Sequence, residues 1–117
     1  MRILAIDDNP SILECTAAML EIHGHEVTKC HATTSAWLAL CEPVLYDVVI
    51  CDGFGGRGLS FLAAVRQHHH YTKTILHSAD DELVAIEARR GQCAILKGDS
   101  WNALLAALQT PVEAVPR

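Results

Sequence analysis

The sequence predicts a doubly wound α/β domain, a single five-stranded parallel sheet with helices on both faces. Five short apolar runs alternate with five helical patterns along 117 residues, and the joints between them are short. One run, DVVIC at 47–51, is β-branched and almost continuously apolar, as a strand covered on both faces must be. The length fits one domain. Half the residues are apolar and only 5% are aromatic, so the core is expected to be built from Leu, Ile, Val, Ala and Cys.

The first strand, residues 3–6, stops at the paired acids Asp7 and Asp8. Asn9 can accept hydrogen bonds from the first turn of a helix, and Pro10 suits the first helical position, where no N–H is needed. Ile12, Leu13, Thr16, Met19, Leu20 and His23 then share one helical face, and Gly24 is a natural stop. A second strand covers Glu26–Cys30. Thr33, Thr34 or Ser35 can cap a helix carrying Trp37, Leu40 and Cys41, which Pro43 ends. After the third strand and a glycine-rich turn, Leu59, Phe61, Leu62 and Val65 mark a third helix. Residues 74–78 read as a fourth strand, 81–90 as a helix stopped by Gly91, and 93–96 as a fifth strand. Asp99 or Ser100 caps the last helix, with Trp101, Leu104, Leu105 and Leu108 inward.

A formal charge of −5 argues against nucleic acid or an anionic membrane as partner. Arg89-Arg90, the strongest basic cluster, is too small to change that. No segment approaches the roughly 18 apolar residues of a membrane span, and the N-terminal apolar run is too short for a signal peptide. Cys15, Cys30, Cys41, Cys51 and Cys93 are odd in number and never in C-x-x-C spacing. They are expected as small buried hydrophobes in a reducing, cytoplasmic setting.

In sheets of this class ligands bind beyond the carboxyl ends of the strands. Here those ends carry Asp7-Asp8, Asp52, Ser78 and Lys97. Two carboxylates about 5 Å apart repel by roughly 3 kcal/mol at an effective dielectric near 20, so three together need a cation or a proton. An all-oxygen ligand set with room for water suits magnesium. The ammonium of Lys97 adds a second positive charge for a transferring phosphoryl group, chemistry that runs on positioning and charge neutralisation. Asp52 can act as the nucleophile by forming an acyl phosphate, and Ser78 Oγ can donate to a phosphoryl oxygen. Taken singly, Asp7-Asp8-Asn9 reads as a solvated cap, Ser78 as a serine near a helix start and Lys97 as a surface lysine. Their convergence on one edge is what points to chemistry.

The runs ILAIDDNP at 3–10, DVVICD at 47–52, ILHSA at 75–79 and Gly91 through Lys97 resemble the receiver domain of two-component response regulators. The resemblance covers about residues 2–109, and it implies the strand order 2-1-3-4-5. By it, residues 1–109 are a receiver domain and 110–117 a tail or the start of a linker. It also implies Asp52 as the phosphoacceptor, with Mg2+ held by Asp8 directly, by Asp7 mostly through water, and by Asp52 and the carbonyl of Phe54. Ser78 would be the switch hydroxyl and Lys97 the phosphoryl-binding cation. The donor would be a phosphohistidine on a histidine kinase or a histidine phosphotransfer protein, and the output a downstream effector protein or domain. Such a domain catalyses only its own phosphotransfer and dephosphorylation.

The chain departs from the family pattern at four places. The turn over 53–58 is shorter than usual and lacks the usual proline. The stretch between Ser78 and Lys97 is also short, which trims the fourth helix. Ala94 stands where the family carries Tyr or Phe, and Gly98 where it carries proline. The last two imply an output weaker than usual or routed differently. The altered turn after Asp52 and the missing aromatic also leave a rival reading, a pseudo-receiver that keeps the acids but switches by partner binding alone. A second rival, a small nucleotide- or flavin-binding enzyme, draws on the G-x-G-x-x-G spelling of 53–58. Against it, that motif lies in the third βα unit and directly follows Asp52. His68-His69-His70 read as a helix end and not as a metal site, because adjacent helical side chains diverge.

Overall fold

The structure, a computed structural model, describes residues 1–110; the expected tail over 110–117 lies, Thr110 apart, outside them. The strands are β1 (Arg2–Ile6), β2 (Glu26–Cys30), β3 (Val48–Cys51), β4 (Lys73–Ser78) and β5 (Cys93–Leu96). The helices are α1 (Pro10–Ile22), α2 (Thr33–Cys41), α3 (Arg57–His68), α4 (Asp81–Arg89) and α5 (Trp101–Gln109). All strand pairs are parallel, in the order β2-β1-β3-β4-β5. This is the doubly wound architecture expected from the alternating pattern.

Alternation along each strand divides the core between the two faces. Leu4, Ile6, Val49, Cys51 and Leu76 pack under α2 and α3, against Ala36, Leu40, Leu59, Phe61, Leu62 and Val65. Ile3, Val48, Ile50 and Ile75 point the other way, to Leu20 of α1 and Leu104, Ala107 and Leu108 of α5. All four residues of β3 are buried, as a strand covered on both faces requires.

The helix signals hold in part. Asn9 Oδ1 accepts from the N–H groups of Ser11 (3.0 Å) and Ile12 (3.2 Å), and Pro10 opens α1. None of Thr33, Thr34 and Ser35 caps α2. The capping position is Ala32, and Ser35 Oγ donates back to its carbonyl. Ser100 opens α5 without a side-chain bond, whereas Asp80 caps α4 through Glu82 and Leu83. Trp101 is not inward but 41% exposed, and His23 lies beyond the buried part of α1. The cysteine expectation also needs correcting: Cys15 and Cys41 are exposed. The buried stripe of α1 is Leu13, Thr16, Ala17 and Leu20, and that of α2 is Ala36 and Leu40; at 100° per residue each cysteine falls outside it. Cys30 and Cys51 are buried, and burial pushes both thiols up.

Helix α4 spans nine residues, and its one fully buried side chain is Glu87, at 0% exposure. Arg66 Nη1 of α3 stands 3.5 Å from Glu87 Oε2 and donates at 2.8 Å to Thr74 Oγ1 of β4. Arg90 Nη1 lies 3.9 Å from the other carboxylate oxygen. An ion pair therefore adds to the apolar packing of Leu83, Val84 and Ile86 in tying this helix to its neighbours. Removing one partner of a buried pair strands a charge at a cost of roughly 3–5 kcal/mol, whereas an apolar pair of similar volume is often neutral or better. Arg66→Ala is accordingly expected to cost about 3 kcal/mol, and Arg66→Met with Glu87→Leu to cost far less. Urea denaturation midpoints at constant slope check both.

Candidate functional site

Strand register brings the site together. Ile6 pairs with Cys51, so the next residues, Asp7 and Asp52, emerge side by side, and the N–H of Asp52 donates to the Ile6 carbonyl at 2.9 Å. Cys51 pairs with Leu76, which brings Gly53 level with Ser78. Ser78 pairs with Leu96, and the Lys97 N–H donates to the Ser78 carbonyl at 2.8 Å. Residues distant in sequence thus share one edge because four parallel strands end there.

Lys97 Nζ lies 2.7 Å from Asp7 Oδ2 and 2.5 Å from Asp52 Oδ1. Only 12%, 7% and 15% of these side chains are exposed, so water screens the contacts weakly. Burial by itself lowers the pKa of the Lys97 ammonium. Hydrogen bonds to Asp52 and Asp7, and their charge, outweigh it and hold the group above the ordinary lysine range. The other oxygens are also held: Asp7 Oδ1 accepts the Asn9 N–H and Asp52 Oδ2 the Phe54 N–H, both at 2.9 Å.

Asp8 completes the cluster. One ligand oxygen from each of Asp7, Asp8 and Asp52 lies within 4.8 Å of the others. Asp8 is exposed and makes no hydrogen bond or ion pair among the described residues. Three carboxylates against one ammonium leave two negative charges uncompensated. An all-oxygen set open to water on one side fits a hard dication of the magnesium kind. Among the described residues no other group of three or more potential metal ligands lies so close together. His68 is the last residue of α3 and His69 follows it as the cap.

Phe54 opens a left-handed stretch that continues through Gly55 and Gly56. Its φ of +46° is left-handed, a rare conformation for a residue with a side chain, and it turns the Phe54 N–H onto Asp52. Its carbonyl accepts the Arg57 backbone N–H and, at 3.4 Å, Arg57 Nε. The arginine must swing away before that oxygen can face a cation. The glycines of 53–58 therefore wrap a turn about a carboxylate, which is unsuited to cradling a pyrophosphate.

Ser78 is 3% exposed, and its Oγ accepts the Asp80 N–H at 3.0 Å. That leaves its own hydrogen without an acceptor among the described residues, available for a group arriving above it. Two contributors were not singled out from sequence. Gly53 has an ordinary φ of −69°, yet a Cβ there would come within 2.8 Å of Leu83 Cδ1 and 2.9 Å of Ser78 Oγ. His77 is 7% exposed on the α1/α5 face, its ring centroid 6.3 Å from that of Trp101. Burial, then the charge of Lys97, lowers its pKa. Strand alternation carried the signal for His77, and adjacency to Asp52 the signal for Gly53.

Residues 3–97 match the family model of the response regulator receiver domain. The chain belongs to this family. Receiver domains are signalling domains, and solved structures of several share its fold. The response regulator TrrA from Thermotoga maritima, solved in complex with Mg2+-BeF, is 24% identical with a TM-score of 0.82, over 92% of this chain and 96% of that one. A receiver domain protein from Clostridium thermocellum is 25% identical with a TM-score of 0.79, over 92% and 90%. A Burkholderia pseudomallei response regulator with a phosphorylated aspartic acid is 24% identical with a TM-score of 0.77, over 93% and 66%. No curated protein matches the chain. Among the described residues no helix is long and apolar enough to cross a membrane.

Two departures from the receiver pattern have visible consequences. Gly98 has φ +98°, which a proline cannot adopt, and the chain turns there so that the Asp99 N–H reaches the Leu96 carbonyl. Ala94 leaves no ring beside Leu76, its partner on β4. Close packing at Gly53 gives a direct test. Gly53→Ala is expected to lose about 1–3 kcal/mol through overpacking, read from urea denaturation, because Ser78 or Leu83 must move.

Proposed function

We propose that this receiver accepts a phosphoryl group onto Asp52 from a phosphohistidine of a histidine kinase or histidine phosphotransfer protein. Mg2+ would be held by Asp7, Asp8, Asp52 and, once Arg57 releases it, the Phe54 carbonyl. The observation that carries the reading is the bridge of one ammonium between Asp7 and Asp52, with Asp8 beside it unpaired. The Mg2+-BeF complex of TrrA and the phosphorylated aspartate of the Burkholderia protein support it as well.

An Asp52 carboxylate oxygen forms the new O–P bond while the P–N bond to the donor histidine breaks, and the electron pair stays on the imidazole nitrogen. The Phe54 N–H fixes the rotation of the carboxylate. Lys97 already touches the reacting group, and it can follow the developing charge onto a phosphoryl oxygen, where a preorganised cation does most good. Ser78 donates its unpaired hydrogen to a second oxygen, and Gly53 keeps the space between them open. Bound Mg2+ would supply charge neutralisation for the phosphoryl oxygens.

On this reading residues 1–109 form the receiver and 110–117 a tail or linker start, and the setting is cytoplasmic. A downstream effector protein or domain reads the modified surface, and this domain itself contacts neither nucleic acid nor membrane. The only reactions it catalyses are its own phosphotransfer and dephosphorylation.

Intact-mass spectrometry after acetyl phosphate treatment tests the assignment. A gain of about 80 Da for one phosphoryl group is expected with Mg2+ and not with EDTA. It should vanish in Asp52→Asn and form about 100-fold more slowly in Lys97→Ala. The same gain in Asp52→Asn would overturn the assignment, and no gain under any condition would favour the pseudo-receiver.

A further inference from the structure

On the α1/α5 side of the sheet, below Asp7, lies a cavity of about 10 Å³, close to the space one water molecule needs. Leu13 and Ile50 supply apolar wall, and Asp7, Thr16 and His77 line it with polar groups. Thr16 is 3% exposed, and its Oγ1 has no hydrogen-bond partner among the described residues. Buried hydroxyls ordinarily have one. The His77 ring makes no hydrogen bond among the described residues either; its recorded contact is with the Trp101 ring. Asp7 uses one lone pair of Oδ1 on Asn9 and one of Oδ2 on Lys97. A carboxylate offers about four such sites, so it can accept again. Cavities that stay dry are apolar throughout, and a buried water typically finds about three polar partners. Three polar side chains line this one.

We propose that this cavity is a binding site for one internal water, clasped by Thr16 Oγ1, the His77 ring and the Asp7 carboxylate. Through that water, Thr16 and His77 act as positioning residues that hold Asp7 at the angle a divalent cation needs. The second statement rests on the reading of Asp7 as part of the metal site; the first does not. Asp7 is gripped at the top by Lys97 and at the side by the Asn9 N–H. The water supplies a third hold, from the α1/α5 side of the sheet. Outer partners of metal-binding carboxylates set affinity in this way, and their loss commonly weakens it by 10–100-fold.

Two measurements on the full chain judge the proposal. A high-resolution crystal structure without metal should show one water within hydrogen-bond distance of Thr16 Oγ1, and a dry cavity would overturn the site. Calorimetric titration with Mg2+ compares the wild type with Thr16→Val, which keeps the shape and removes the hydroxyl, and Thr16→Ser, which restores it. Thr16→Val should bind about 10-fold more weakly, His77→Phe should weaken binding as well, and Thr16→Ser should stay near the wild type. Equal affinity in Thr16→Val, or a Thr16→Ser as weak as Thr16→Val, would overturn the positioning role. A wild type that does not bind Mg2+ removes that role together with the metal reading, while the crystallographic result still decides the water.

Discussion

The ammonium of Lys97 between Asp7 and Asp52 is the contact on which the rest of this structure depends. Those carboxylates leave adjacent strands one residue beyond the last pairs of β1 and β3, so their closeness is built into the sheet. Without a cation they would push the ends of the two central strands apart. Lys97 comes from β5, two strands from Asp52, and reaches both only because β4 and β5 extend beyond β3 at that edge. The apolar layers on each face hold the register, and the register holds the charges together. Asp8 is the remainder: an exposed carboxylate with nothing to balance it, and so an opening for a dication.

Much of this could be read from the chain. Continuous apolar runs marked the central strands, because a strand covered on both faces has no polar side to show. Asn9-Pro10 marked the start of α1 through local chemistry alone. The acids, Ser78 and Lys97 were legible because parallel strands place their carboxyl ends together whatever the loops do. What escaped depends on three-dimensional contact. Nothing in Gly53 itself announces that Ser78 and Leu83 will press on it. Glu87 reads as a solvent-facing helix residue until Arg66 is found beneath it. Cys15 and Cys41 sit in apolar segments yet lie off the buried stripes, a difference of 100° that composition does not register. Trp101 looked like core by its place in an apolar helix pattern, but it is 41% exposed and its ring meets that of His77 at 6.3 Å.

Three of the four departures from the family pattern fall around α4, β5 and the start of α5, and the other is the turn over 53–58. Ala94 leaves no ring to move, and Gly98 adopts a backbone conformation closed to proline. Helix α4 packs Leu83, Val84 and Ile86 on the core and buries between them a carboxylate paired with Arg66. His77 adjoins Ser78 on β4, and its ring centroid lies 6.3 Å from that of Trp101.

The most direct test of the central claim is thermal unfolding of the wild type and Asp8→Ala with increasing Mg2+. If three carboxylates around one ammonium form a dication site, Mg2+ should stabilise the wild type by about 2.7 kcal/mol at 100-fold over its dissociation constant. Asp8→Ala should lose most of that gain. A wild-type melting temperature that does not move with Mg2+, or that moves equally in Asp8→Ala, would contradict the account.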